Sequence, residues 1–354
     1  MKILVAPLNW GLGHASRCVP LIHRLLDEGN EVIIGGDGES LTLLRKHFPR
    51  LRYVYLAPLR LRYSKGSRQV LAMLIALPKI IAWAVKDHAM LKAVLREEPI
   101  DRVISDNRFG LFLSDSPKAG QTRCVYMTHQ LHIPLPRGWR WLEPLAERLH
   151  ARVYAHYYKV WVPDYEAPDQ SLAGDLSHPQ IFKSSTPQNI EYIGPLSRFN
   201  LTAKRSYSDS GLTGKAAQYE TVVVLSGLEP HRTILEQQII ARFSYSANGH
   251  TGEKHEVLIV QGLMNRPNTR FKRGNITIVP YMSDEELVPA LVGAKHIIAR
   301  SGYSTIMDLE ALGLNHKSEL IPTPGQPEQE YLAARFAEKM QKSAKKFGQF
   351  KKKQ

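Results

Sequence analysis

A short apolar run, Lys295-His-Ile-Ile-Ala299, is followed by the turn Arg300-Ser301-Gly302 and then by a helix-like stretch from Thr305 to Leu312. This succession confines the chain to an α/β design, because strand, small-residue turn and helix form one half of a parallel crossover. It recurs. Strands are expected at Lys2 to Pro7, Glu31 to Gly35, Arg52 to Leu56, Asp101 to Ser105, Arg123 to Met127 and around Lys159 to Pro163. A second set is expected at Thr221 to Leu225, Glu256 to Val260, Ile276 to Val279, His296 to Ala299 and Glu319 to Ile321. Helical patterns lie between them, which gives open, mainly parallel, doubly wound sheets. Between the two sets, residues 197–219 are rich in Ser, Thr, Lys and Gly and read as a linker. The expected domains are therefore 1–196 and 220–340, followed by a basic tail at 341–354.

In such sheets ligands bind beyond the carboxyl ends of the strands, so the loops there hold the candidate residues. Gly302 ends a strand and opens a helix, where backbone N–H groups and the helix dipole favour an anion such as a phosphate. Asp308 lies about one and a half turns into that helix, where a carboxylate suits a ribose diol, and Glu310 stands in reserve. The loop Pro324-Gly-Gln326-Pro-Glu328-Gln329 carries side chains suited to polyol hydroxyls. Ser226-Gly227 is a second small-residue turn before a helix, with Arg232 as a diphosphate partner.

At the other end, Gly11-Leu-Gly13-His14 leads into a helix, with Arg17 one turn further as either a phosphate contact or a surface arginine. It is not the dinucleotide fingerprint, since position 16 is Ser. His14 is either a helix-capping residue or a general base, for which neutral imidazole is suited near pH 7. Asp106 ends a buried strand and either orients His14, serves as base itself, or only forms a turn with Asn107. Thr128-His129-Gln130-Leu-His132 follows the next strand, with His129 as the second candidate base. A metal site is not expected, because His129 and His132 have no further ligands in register.

Taken together, the Arg300-Ser-Gly302 turn, the acid at 308, the apolar strand ending in Pro322 and the Glu328-Gln329 pair resemble glycosyltransferase family 28. That family includes the lipid II N-acetylglucosaminyltransferase, and UDP-glycosyltransferases carry a similar acid and acid-Gln pair. The Gly-Leu-Gly-His14 loop is similar to the family's GGH loop, Thr128 to Gln130 to its HEQN segment, and Ser226-Gly227 to its GGSxGA turn. The resemblance implies two Rossmann-like domains facing across a cleft, the arrangement called GT-B. It implies inverting, metal-independent transfer of a hexosyl group from a nucleotide-sugar, with UDP favoured, to an acceptor hydroxyl, an EC 2.4-type reaction. No cofactor is implied. A lipid-linked glycan is one acceptor it allows. Arg300, Ser301, Gly302, Ser304, Thr305, Asp308, Gln326, Glu328 and Gln329 become donor contacts, with Gly13, Arg17, Ser226, Gly227 and Arg232 near the diphosphate. Tyr281 and Met282 fall where the family touches the base. An epimerase or hydrolase sharing the fold is the nearest rival.

Composition limits the rest. Two cysteines, Cys18 and Cys124, make no disulfide framework, and no signal peptide is visible, so a cytoplasmic protein is expected. The formal net charge is +14, which suits acidic small molecules, an anionic membrane or nucleic acid. A non-catalytic nucleic-acid-binding protein is the rival from another class; no known RNA-binding module appears, so nucleic acid is not the expected partner. The tail from Lys339 holds seven lysines and reads as disordered or as a peripheral contact with the inner membrane face. The apolar run from Leu71 to Val85 is too short to span a bilayer and is expected to be a core helix, with a membrane-lying or lipid-lining helix as the alternative.

Overall fold

The computed structural model describes residues 1–59, 69–113, 117–118, 120–179, 189–200, 219–227, 229–246, 255–264, 266–267 and 269–351. Its contacts divide the chain into Met1–Ser197 and Arg198–Gln354. Most of the expected linker, 201–218, lies outside the described residues.

The first unit is built on seven parallel strands. In chain order they are β1 (Lys2–Pro7), β2 (Glu31–Gly36), β3 (Arg52–Tyr55), β4 (Arg102–Asp106), β5 (Arg123–Met127), β6 (Lys159–Val162) and β7 (Ile190–Tyr192). In space they run β3-β2-β1-β4-β5-β6-β7. Ile3, Leu4, Val5, Val103 and Ile104 are fully enclosed. Both faces of the sheet are thus covered, and this is why these strands read as unbroken apolar runs rather than alternating ones. The connecting helices are α1 (Gly13–Asp27), α2 (Gly38–His47), α3 (Gln69–Glu97) and α4 (Glu143–Tyr154). The chain leaves β1 toward β2 but returns to its other side as β4. The loops after β1 and β4 therefore part at a topological switch point.

The second unit repeats the plan. Its strands are β8 (Thr221–Val224), β9 (Val257–Val260), β10 (Phe271–Arg273), β11 (Ile276–Val279), β12 (His296–Arg300) and β13 (Ser318–Ile321), ordered β10-β11-β9-β8-β12-β13. Its helices are α5 (His231–Ser246), α6 (Asp284–Gly293), α7 (Tyr303–Leu312) and α8 (Pro327–Lys351). Its switch point falls between β8 and β12. Both units are doubly wound and Rossmann-like, the fold class expected from the alternation of elements.

The structure departs from the sequence reading at the margins. The short edge strands β7 and β10 were not expected, and β10 pairs antiparallel to β11. Helix α8 continues to Lys351 where a disordered tail was one reading; residues 352–354 lie outside the described set. The expected core helix is only half a core helix. Helix α3 has 29 residues, so it is about 43 Å long. A five-residue strand such as β4 spans about 17 Å. Trp83, Asp87 and Leu91 face the sheet, but Ile75, Leu77, Ile81 and Val85 are exposed.

The loop after β4 packs tightly under α3. A Cβ on Gly110 would stand 2.1 Å from the Ala84 carbonyl oxygen and 2.8 Å from Asp87 Cβ. Gly110→Ala is expected to lower stability by about 1–3 kcal/mol through overpacking. Gly138→Ala, whose Cβ would meet nothing within 4 Å, is expected to stay within about 0.5 kcal/mol of the parent. Urea unfolding of the two variants checks the difference.

Candidate active site

Asp106 closes β4, in register with Pro7 on one side and Met127 on the other. Its carboxylate is fully buried. Arg17 reaches it from the second turn of α1: Nε donates to Oδ2 at 2.8 Å, and Nη2 donates to Oδ1. Nδ1 of His14 lies 3.0 Å from Oδ1, and the Cys18 thiol lies 3.8 Å from Oδ2. His14 and Arg17 are three residues apart and so share one face of the helix. Asn107 follows with φ 57°, and Tyr126 Oη donates to its side-chain oxygen at 3.0 Å. This turn ends the strand with Asp106 facing α1.

Burial alone would push the Asp106 carboxyl up, but the charges and hydrogen bonds of Arg17 and His14 outweigh it and hold the group well below the usual carboxylate range. Asp106 is therefore ionised near neutrality and too weak a base to take a substrate proton. Of its expected roles, orienting His14 fits; acting as the base does not.

Arg17 also corrects an expectation. It was read as a phosphate contact or a surface arginine, yet it is 2% exposed and its guanidinium is held by Asp106. Its Nη1 faces Nδ1 of His129 at 2.9 Å. A guanidinium only donates, so that nitrogen accepts, and a neutral His129 carries its proton on Nε2. Nδ1 of His129 is thus engaged within the fold. His132 turns instead to Glu147, so the two histidines of this segment do not converge.

His14 is different. Its hydrogen-bond contacts fall on Nδ1, with Asp106 Oδ1 and with Arg17 Nη2, each at 3.0 Å; Nη2 already donates to Oδ1, so Nδ1–H can go to the carboxylate. Nε2 remains for a substrate.

A second buried arginine lies two residues beyond Asp106, and nothing in the sequence pattern pointed to its partners. Arg108 donates to both oxygens of Asp87 at 2.9 and 2.7 Å, to Asp37 at 3.1 Å and to the Ala57 carbonyl at 2.7 Å. Asn9 completes the set with a bond to Asp37 at 3.0 Å.

In the second unit, the parallel strands bring the loops after β8, β11, β12 and β13 to one edge. Ser226, Gly227, Tyr281, Ser301, Gly302 and Gln326 all lie there. Gly302 is the N-cap of α7, and the helix's first internal bond runs from Ile306 N–H to the Gly302 carbonyl. Ser304 and Thr305 sit in the first turn, and Asp308 is half-buried further along. Glu310 is tied to Asn315 at 2.5 Å.

Arg300 is 3% exposed beneath this turn. It donates to the Pro322 carbonyl at 2.8 Å and to the His231 carbonyl at 2.7 Å. Its Nε is buried without a partner, and among the described residues no carboxylate pairs with it. Burial depresses its pKa, as an uncompensated cation should show.

Other donor candidates are already engaged. Gln329 Oε1 accepts from Thr323 N–H at 2.9 Å, its Nε2 donates to Gln326 at 2.7 Å, and Ser301 Oγ donates to the Gln329 carbonyl at 2.8 Å. Glu328 is half-buried in the first turn of α8. Met282 is packed into the unit's core, so its side chain is not a ligand contact. At the β8 turn, Gly227 has φ 93°. The following helix end, expected to take phosphate, is met by the chain's own Glu229. That carboxylate accepts from Thr233 N–H at 3.2 Å and pairs with Arg232 at 2.6 Å.

No family model matches the chain. It is similar to an uncharacterized glycosyltransferase of Methanosarcina acetivorans, with 26% identity over 341 residues, 94% of this chain and 83% of that protein. Among solved structures it is similar to UGT2 of Phytolacca americana, solved with UDP-2fluoro-glucose and pterostilbene: TM-score 0.53, 13% identity, 94% of this chain and 82% of that one. It is also similar to a structure described as a UDP-N-acetylglucosamine 2-epimerase of Listeria monocytogenes: TM-score 0.50, 11% identity, 95% and 86% covered. The fold is therefore that of the GT-B proteins, two Rossmann-like units, and the resemblance to glycosyltransferases extends along nearly the whole chain.

Removing Arg17 leaves a buried, uncompensated carboxylate. Arg17→Met is expected to lower stability at pH 7 by about 3–5 kcal/mol. The pKa of Asp106 is depressed in the fold, so its contribution is present above the unfolded value of about 4 and fades as pH falls below it. Denaturant titrations of parent and variant should therefore differ most at neutral pH and converge in acid.

Proposed function

We propose that this protein is a glycosyltransferase. It moves a hexosyl group from a nucleoside-diphosphate sugar, with UDP as the favoured carrier, to an acceptor hydroxyl with inversion and without a metal. The observation that carries the reading is the His14–Asp106 pair at the first switch point: a histidine whose Nδ1 is held by an ionised carboxylate and whose Nε2 is left for a substrate. The similarity to a curated glycosyltransferase along 94% of the chain supports it.

In the working tautomer His14 donates Nδ1–H to Asp106, and Nε2 takes the proton of the acceptor hydroxyl. The hydroxyl oxygen bonds to the anomeric carbon from the face opposite the nucleotide. The bond from that carbon to the phosphate oxygen breaks, and the nucleoside diphosphate leaves with the electron pair. The donor belongs to the second unit's edge, where the N-terminus of α7 and the buried charge of Arg300 favour the leaving diphosphate. Asp308 suits the ribose hydroxyls, and Glu328 with Gln329 the donor sugar. Because Arg300 and the helix dipole supply positive charge, the reaction is expected to survive chelation by EDTA.

The fold is shared with an epimerase structure, so the products decide between the readings. Free or epimerised sugar formed without any acceptor would favour the rival.

Thermal melts with UDP, GDP, dTDP, CDP and ADP test the donor site. One of them at about 100 times its dissociation constant should stabilise the parent by about 2.7 kcal/mol. Asp308→Ala should lose most of that gain. If no diphosphate stabilises the parent, the donor assignment fails. His14→Ala and Asp106→Asn test the base: each should lower kcat about 10²- to 10⁴-fold while leaving nucleotide stabilisation intact. Unchanged turnover in His14→Ala would place the base elsewhere.

A further inference from the structure

Helix α2 begins with an exchange of caps. Asp37 is its N-cap residue, a type whose side chain ordinarily accepts from an amide of the first turn, yet it makes no such bond. The third helical amide, that of Ser40, donates instead to Oδ1 of Asn9 at 3.2 Å. Asn9 belongs to another loop, the one between β1 and α1. Its Nδ2 donates at 3.0 Å to Oδ1 of the same Asp37 whose capping place it has taken. The other oxygen of Asp37 accepts from Arg108 at 3.1 Å, and Asp87 holds that arginine through both of its own oxygens. Asp37 and Arg108 are buried, so a bond lost here leaves a polar group without water to replace it. Gly38 admits Asn9 to this place. Its φ is 55°, and a Cβ on it would stand 2.1 Å from Asn9 Nδ2.

The loop that Asn9 pins is the one from which His14 rises. Its first amide, that of Leu8, donates to the Asp106 carbonyl at 2.9 Å, and His14 meets the Asp106 carboxylate at 3.0 Å. Residues 8–14 thus run between two attachments on one residue. Between them Gly11 takes φ 79°, and Leu12, the N-cap of α1, makes no side-chain cap bond. The start of α1 is therefore not fixed by a cap of its own. Ser40 adds a second clamp from α2, with its Oγ 3.4 Å from the carbonyl oxygens of Leu8 and Gly11.

We propose that Asn9 is a positioning residue for His14, set in place by Asp37 and Gly38. It fixes the course of the loop, and so the place of His14 Nε2 against the acceptor hydroxyl. Asn9 acts through His14 and not on the substrate. A displacement of about 1 Å in a reacting group can cost about 10²-fold in rate. The inference rests on the transfer reaction proposed above, with His14 as its base.

Turnover, UDP stabilisation and histidine NMR test it together. Asn9→Ala should lower kcat about 10- to 100-fold while stabilisation by UDP stays at the parent's level. In the His14→Ala background the same substitution should cost less than about twofold, because the residue through which it acts is gone. Equal losses in both backgrounds would make Asn9 a structural residue and overturn the proposal. Asn9→Asp alone sets a carboxylate against Asp37 and should be as slow as Asn9→Ala. Combined with Asp37→Asn it restores an amide between the two positions, an acceptor for Ser40 N–H and an acceptor for Arg108. This exchanged pair should return kcat to within about threefold of the parent. It keeps every hydrogen bond of the cluster, so it decides the matter even where the single variants fold poorly. An exchanged pair as slow as Asn9→Asp overturns the proposal. Nitrogen-15 spectra of labelled histidine read the same effect without turnover. His14, assigned by its absence in His14→Ala, should carry its proton on Nδ1 in the parent and shift toward the Nε2 tautomer in Asn9→Ala. An unchanged tautomer in Asn9→Ala overturns the proposal whether or not transfer is observed. Parental turnover in Asn9→Ala, with turnover lost in His14→Ala, overturns it and leaves the transfer reading standing. Parental turnover in His14→Ala overturns both.

Discussion

The ion pair between Arg17 and Asp106 is the contact on which the first unit's functional edge depends. Desolvating two charges opposes folding, and their attraction repays this only when geometry is good and the remaining polar atoms are bonded. Here the guanidinium meets both carboxylate oxygens, and its remaining nitrogen meets His129. The pair thereby joins α1 to β4 and to the loop after β5, three elements far apart in the chain. It also decides which groups keep a chemistry of their own. Asp106 is held ionised, His129 has its Nδ1 occupied, and His14 is left with Nε2 available. Arg17 touches Nδ1 of both histidines, and what sets His14 apart is the Asp106 oxygen at its Nδ1.

Comparing the three buried arginines separates the two edges by function. Arg17 and Arg108 each face carboxylates, so their charges are cancelled within the fold. Burial raises the Asp87 carboxyl, and Arg108 offsets that in part. The first edge is stiff and locally near neutral, which suits proton transfer from an uncharged hydroxyl. Arg300 faces backbone carbonyls only. Carbonyl oxygens satisfy its hydrogens but leave its charge standing, directly under a helix N-terminus. An anion is the partner that such an edge lacks.

Much of the fold was legible because parallel strands covered on both faces carry no alternation to confuse them. Only edge elements were missed: β7 and β10 have three residues each, too few for a period to register. At the site, the sequence showed which residues reach the strand ends but not how side chains divide among partners. Arg17 resembled a phosphate ligand because its acid stands 89 residues away. Arg108, with partners 21 and 71 residues distant, could not be recognised at all. Glu229 was not singled out in the sequence, yet it fills the helix end where phosphate was expected. Such assignments depend on long-range pairing, which residue type and spacing do not encode.

Helix α3 shows the same limit from the other direction. Its run from Leu71 to Val85 is almost wholly apolar, which reads as burial. Length decides otherwise, because a helix of about 43 Å cannot be covered by strands of about 17 Å. What remains inside is the row Trp83, Asp87 and Leu91, and Asp87 anchors Arg108 at the end of β4. One helix thus fixes the strand end beside Asp106 with its inner face and presents aliphatic side chains with its outer one. Gly110, seated closely under Ala84 and Asp87, belongs to the same contact.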